Sequence, residues 1–312
     1  MEACRGVQSM KRAKYKGKPV GFVEFATIYA TEDQCRQKVF EARWPNGFVC
    51  PKCGGHSNCY VVKKNCYQCN KCKHQTTPKV GTLMEKSPLP YKTWLWAIYL
   101  IATDKRGISG MELMRQLHVT YKTAWYLLQR IREAMGNADE NCLLQGIIEL
   151  DDTYFGGPGS SGKRGRGTNK TKVLVAVSKD DKGRPKRLKL RVVKDLKGKT
   201  IGRFAIENIA EGSVINSDAY RSYRKPLKDK WLHQWQVFDA DSEVLAWLHI
   251  IVSNIKTSVQ GTFHGLDEKY LQRYLNEATF RFNRRFQLPS LFDQLLNAVV
   301  FSSPISLVGL KG

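Results

Sequence analysis

Apolar residues recur at helical spacing along roughly the first 140 positions, and from Gly146 onward they fall into short alternating or unbroken runs. A period near 3.6 marks amphipathic helices, and a period of two or a brief continuous run marks strands. The chain therefore reads as a helical front half and an α/β back half, with the change between Asn137 and Leu144. In the front half, Thr31-Glu-Asp-Gln offers a capping box for a helix running to Arg43, and Trp44-Pro45-Asn46-Gly47 ends it with turn chemistry. The apolar run from Lys92 to Asp104 suits a core helix. Ile108 to Leu117 and Tyr121 to Ile131, joined by His118-Val119-Thr120, read as a helix-turn-helix or as a plain helical hairpin. Ala124, Leu127, Leu128 and Ile131 share the inward face by their spacing, which leaves Thr120, Tyr121, Lys122 and Tyr126 outward.

In the back half, Ile147-Ile148-Glu149-Leu150-Asp151 is a strand that ends on an acid. A basic, Gly/Ser-rich loop follows and carries Lys163, Arg164 and Arg166. Thr171 to Ser178 and Lys186 to Val193 make two further strands, joined by turn residues from Asp180 to Pro185. A helix from about Lys199 to Ala210 leads to Ser213 to Asp218, again a short apolar strand closed by an acid. Another helix, a strand near Gln236 and a helix from about Glu243 to Ser258 complete the series. Three strands, helix, strand, helix, strand, helix is the element order of the RNase H fold, in which the ends of the first and fourth strands lie side by side. The fold class is thus α/β, an RNase H-like domain preceded by a helical front half with a helix-turn-helix region.

Charge narrows the partners. Lys+Arg 51 against Asp+Glu 28 gives a formal net charge of +23, far more than solubility requires, and favours a polyanion such as double-stranded DNA over a ribosome or membrane surface. No stretch approaches eighteen consecutive apolar residues, so no membrane partner is implied. Met1 to Pro19 is basic and polar without the apolar centre of a signal peptide, which argues against export. The basic loop with Lys163, Arg164 and Arg166 can lie on phosphates or be a solvated turn. Arg281, Arg284 and Arg285, interleaved with Tyr270, Tyr274, Phe280 and Phe282, look like a DNA-facing stripe beside a core stripe.

The chemistry sits at two places. Cys50-Pro-Lys-Cys53 and Cys69-Asn-Lys-Cys72 are paired knuckles, with Cys69 sixteen positions after Cys53, and suit a structural Zn2+ held by four thiolates. Cys59, Cys66, His56 and His74 are the competing donors, Cys66 foremost because Cys66 and Cys69 also have knuckle spacing. Asp151 and Asp218 close the two strands that the fold sets side by side, so together they can hold Mg2+ or Mn2+ that activates a water or a DNA 3′-hydroxyl.

With RWPNGFVCPKCG, the WxxAIYLIATDKRGISGMEL region, ELDDTYFGG, NSDAYRSY, and GTFHG followed by KYLQRYLNEATFRFNRR, the chain resembles DDE-type insertion-sequence transposases of the ISXO-like, Merlin-related group, over about Phe25 to Phe286. The resemblance implies Asp151 and Asp218 as the first two catalytic carboxylates, and a third residue and a basic partner on the helix near Lys256. Glu is expected seven residues before that lysine, where this chain has His249. Two helical turns put His249 and Lys256 on one face, and Asn254 is the competing third residue. Either would bind Mg2+ less strongly than Glu, which points to Mn2+ tolerance or to a defective copy.

The division that follows is a basic segment over 1–30, a helix with the zinc ribbon over 31–80, a helical DNA-binding region over 81–137, the RNase H-like domain over 145–290 and a C-terminal tail over 291–312. The expected activity is metal-dependent DNA cleavage at transposon ends and strand transfer, by at least a dimer, in the cytoplasm and at the nucleoid of a bacterium or archaeon. The alternatives are an impaired or domesticated DNA-binding regulator and a non-transposing RNase H-like nuclease.

Overall fold

In the computed structural model, which describes residues 18–156, 168–237, 245–263 and 266–311, the chain opens with α1 (Phe22–Ile28) and α2 (Glu32–Arg43). Thr31 starts α2 through the capping box read from the sequence, its hydroxyl accepting from Gln34 N–H and Gln34 accepting from Thr31 N–H. After the Trp44 to Gly47 turn comes a three-stranded antiparallel ribbon of β1 (Asn58–Val61), β2 (Cys66–Cys69) and β3 (Gln75–Thr76). Trp44, Phe48 and Tyr67 pack with Cys50 and Cys69, and Phe40 of α2 joins them, so an aromatic cluster stands in for a core the ribbon is too small to build.

α3 (Tyr91–Thr103) buries Trp94, Leu95, Ala97, Ile98 and Ile101. Its N-cap is Pro90, which offers no capping side chain, and Glu32 of α2 supplies the acceptors instead, 2.6 Å from Tyr91 N and 2.9 Å from Lys92 N. Ser109 caps α4 (Gly110–Leu117), and His118 turns the chain in the left-handed region, at φ 50°, toward α5 (Tyr121–Glu140). Ala124, Leu127, Leu128 and Ile131 are buried as their spacing requires. Tyr121 and Lys122 are exposed and Tyr126 is half-buried.

The following unit, 139–285, is built on a five-stranded sheet. β4 (Ile147–Phe155), β5 (Thr171–Lys179) and β6 (Pro185–Val193) are antiparallel neighbours, and the β5–β6 turn is closed by Asp180, which accepts from Lys182 N and Arg184 N. After α6 (Gly198–Asn208), β7 (Val214–Asp218) returns parallel to β4, and after α7 (Arg221–Leu227), β8 (Leu232–Gln236) lies parallel to β7. The order β6-β5-β4-β7-β8, with a three-strand meander and two parallel additions, is the RNase H-like arrangement. α6 and α7 fill one face, around Ile148, Leu150, Leu174 and Ile215. α8 (Ala246–Thr262) and α9 (Glu268–Asn283) fill the other, around Phe155, Val173, Val175 and Val177. Because β5 is covered on both faces, Val173 to Val177 is an unbroken apolar run rather than an alternation.

The last stretch is not the tail that the sequence suggests. α10 (Leu291–Phe301) and α11 (Leu307–Lys311) belong to the same unit as residues 18–138, and α10 packs on α2 and α3 with Leu291, Leu295, Leu296, Val299 and Val300 buried.

Candidate active site and metal centres

The four knuckle cysteines come together as their spacing requires. Cys50 N–H donates to Gly55 O and Gly54 N–H to Cys50 O, and the second knuckle repeats this with Cys69, His74 and Lys73. Gly54 at φ +68° and Lys73 at φ 58° take the left-handed turn that lets each pair of thiols point the same way. The Cys50 and Cys72 sulfurs lie 3.6 Å apart, as do those of Cys53 and Cys69. About 3.8 Å is the edge of a tetrahedron with zinc–sulfur arms of ordinary length. Backbone amides of Cys72 and Lys71 directed at the Cys69 sulfur pull that thiol down to about 7, which favours the thiolate a metal needs. Cys66, the competing donor, is buried at the start of β2, and neither it nor Cys59, His56 or His74 joins the set.

In the 139–285 unit, Leu150 of β4 pairs with Ser217 of β7 in parallel register. Asp151 and Asp218, each one residue further on, therefore end up side by side. Strand alternation sets their direction. Ile148, Leu150 and Ile215 enter the α6–α7 core and Phe155 enters the α8–α9 core, so Glu149, Asp151, Asn216 and Asp218 all face α8. Asp152 points the other way and accepts from the Tyr223 hydroxyl at 3.2 Å. Asp151 also accepts from Asp152 N–H, and Asp218 from Tyr220 N–H.

α8 lies across β4 and β5 on Leu248, Ile251, Val252 and Ile255. His249 and Asn254 are both exposed. With Leu248 and Ile255 inward, 100° per residue puts His249 and Lys256 on one flank of the helix and Asn254 on the other. The Lys256 ammonium lies 5.7 Å from the centre of the Phe155 ring, and burial, with Lys170 nearby, lowers its proton affinity. Among the described residues, only the four cysteines gather three or more such donor atoms within 4.8 Å, so Asp151, Asp218 and His249 do not converge that tightly.

The acidic site nevertheless suits a hydrated divalent cation. Two carboxylates on neighbouring strands supply hard oxygen donors. The Asn216 amide oxygen, buried and without a hydrogen-bond partner, lies on the same face and would accept from a water carried by such an ion. Two residues here escaped the sequence reading. Asn216 carries no signal in sequence, but Glu149 does, as an acid inside an apolar strand two residues before Asp151.

The arginine stripe on α9 has interior partners that the sequence does not reveal. Arg281 pairs with the buried Glu277 at 2.9 Å and Arg284 with the buried Asp139 at 2.9 Å. Arg284 also stacks on Phe280, and Arg285 on Phe282. Arg281 and Arg284 thus compensate interior acids, because a buried carboxylate needs a cation beside it. Lys163, Arg164 and Arg166 lie outside the described residues.

Comparison with known proteins agrees with this layout. Residues 143–283 match the family model described as an ISXO2-like transposase domain, and residues 30–75 match a transposase zinc-ribbon domain, together more than half of the chain. The chain is 24% identical over 237 residues, 69% of its length and 76% of the relative's, to an uncharacterized protein in transposable element ISH50 of Halobacterium salinarum. Among solved structures, the Mos1 transposase paired-end complex with left transposon end aligns at 12% identity and a TM-score of 0.24, over 63% of this chain and 77% of that one. A pre-cleavage Mos1 transpososome aligns at 12% identity and 0.22, over 64% and 76%. Superpositions this loose carry no weight beside the strand order.

Proposed function

The chain belongs to the ISXO2-like transposases, and on that premise we propose that it cuts DNA at the ends of its element and joins the freed 3′-hydroxyl to target DNA, at a centre built on Asp151 and Asp218. The observation that carries this is the placement of the two acids one position beyond the paired Leu150 and Ser217, on a single face of the sheet. A divalent ion there, Mg2+ or Mn2+, supplies Lewis-acid activation of the attacking oxygen. Asp151 and Asp218 would hold it, and His249, or else Asn254, takes the third position. Lys256 offers an ammonium to charge developing on the phosphate.

The partner in this proposal is double-stranded DNA, both element ends and target. The zinc-held ribbon and the α4–α5 pair, with Lys122 exposed, bind it through phosphates, and Lys163, Arg164 and Arg166 are assigned to the same task. Joining two ends requires at least two copies of the chain. The protein acts where its DNA is, at the nucleoid in the cytoplasm.

Asp151→Asn and Asp218→Asn, measured for strand transfer and for end binding, test the proposal. Loss of transfer with end binding kept supports it; a fully active Asp151→Asn protein in Mg2+ or Mn2+ overturns the shared-carboxylate centre. His249, in a place where the family resemblance implies Glu, favours a second assignment, a DNA-binding regulator without chemistry. Specific end binding with no transfer in either metal by the natural chain is its signature.

A further inference from the structure

Glu149 is 2% exposed, and both of its carboxylate oxygens are engaged. One accepts from the backbone N–H of Leu248 at 2.9 Å, the other from the Lys179 ammonium at 3.1 Å. Leu248 is the third residue of α8, whose N-cap, Leu245, is apolar, sits in the left-handed region at φ 62° and makes no side-chain cap. The start of α8 therefore takes its capping acceptor from the sheet, 99 positions away in sequence. Glu149 precedes Asp151 by two residues on the same face, and His249 follows Leu248 directly. One carboxylate thus joins the strand that carries the first metal-site acid to the first turn of the helix that carries the third position.

We infer that Glu149 is a positioning residue, which fixes the depth of the α8 start against β4 and so sets where His249 stands relative to Asp151. The inference rests on the assignment of Asp151 and Asp218 as a metal centre. Glu149 is not itself a ligand, because its oxygens are committed to Leu248 and Lys179. Nor does its charge add much to the fold, since a buried ion pair contributes little net stability. What the carboxylate adds is a directed bond at one level of the helix.

The test uses the full-length chain with Lys179→Met as background, so that no partly buried lysine is left without its acid. Glu149→Gln keeps an oxygen for Leu248 N–H, and Glu149→Ala removes it. Mn2+ binding is followed by calorimetry, and backbone exchange is followed at Leu248 and His249. Glu149→Ala is expected to weaken Mn2+ binding about 10- to 100-fold, the range for partners that orient metal ligands, and to speed exchange at both amides without changing end binding. Glu149→Gln is expected to recover most of that affinity. A folded Glu149→Ala protein with natural Mn2+ affinity, or a Glu149→Gln protein as weak as the alanine variant, overturns the inference. If Asp151→Asn leaves Mn2+ binding unchanged, the metal centre itself falls. The exchange rates at Leu248 and His249 then decide the positioning role alone, and unchanged rates refute it.

Discussion

The Cys50 and Cys72 sulfurs stand 3.6 Å apart although the residues are 22 positions apart in sequence. Thiols brought that close by two matching knuckles are set for one ion. One zinc per chain is expected, with Cys50→Ser and Cys72→Ser losing both the metal and the ribbon. In small zinc domains the metal supplies roughly 10–16 kcal/mol of folding energy, more than the aromatic cluster around Trp44 and Tyr67 can replace. Elemental analysis without zinc, or serine variants that keep metal and fold, would contradict this.

For the third position, His249→Ala should lower strand transfer at least about tenfold, the low end for disturbing a metal site, and more than Asn254→Ala does. His249 shares a flank of α8 with Lys256, and Asn254 lies on the other. His249→Glu should shift the metal preference from Mn2+ toward Mg2+, since a carboxylate is the harder donor. Rates in the two metals check both statements, and an inactive Asn254→Ala beside an active His249→Ala would reverse the assignment.

The logarithm of the affinity for DNA should fall linearly with the logarithm of salt concentration, as expected when lysines and arginines displace counterions from phosphates. Lys122→Ala should reduce that slope by about one phosphate contact. A titration from low to moderate salt reads both, and a flat profile would point to a different partner.

Arg284→Ala should lower the stability of the catalytic unit by about 1–3 kcal/mol, the usual penalty when a buried charged group loses a hydrogen-bonding partner. Asp139, 3% exposed, keeps Arg187 and Asn283 after the loss, which holds the effect at this level. Denaturant melts give the value. A normal melt with a large drop in DNA affinity would restore Arg284 to the DNA surface.

Much of this was legible in the chain. Thr31 and Gln34 announced the start of α2, the cysteine spacing announced the ribbon, and two apolar runs ending in Asp151 and Asp218 announced neighbouring strands. Local signals of this kind travel with the sequence. What escaped depends on tertiary partners. Arg281 and Arg284 look like any basic stripe until Glu277 and Asp139 are seen beneath them, and Asn216 is an ordinary polar strand residue until its register with Glu149 is known. The tail misled for the same reason: α10 is an apolar helix whose partners, α2 and α3, lie far earlier in the chain, at Glu32–Arg43 and Tyr91–Thr103.

That return of α10 has a consequence for how the gene is expressed. A ribosome must translate the entire catalytic unit before the helices around α2 and α3 receive their last layer. Products of a frameshift or an early stop within 139–285 leave the surfaces that Leu295, Leu296 and Val299 cover open to solvent. Such fragments should therefore be poorly folded and short-lived, and should not accumulate as stand-alone competitors for the ends of the element. Interrupted copies of this gene should therefore be silent, not inhibitory.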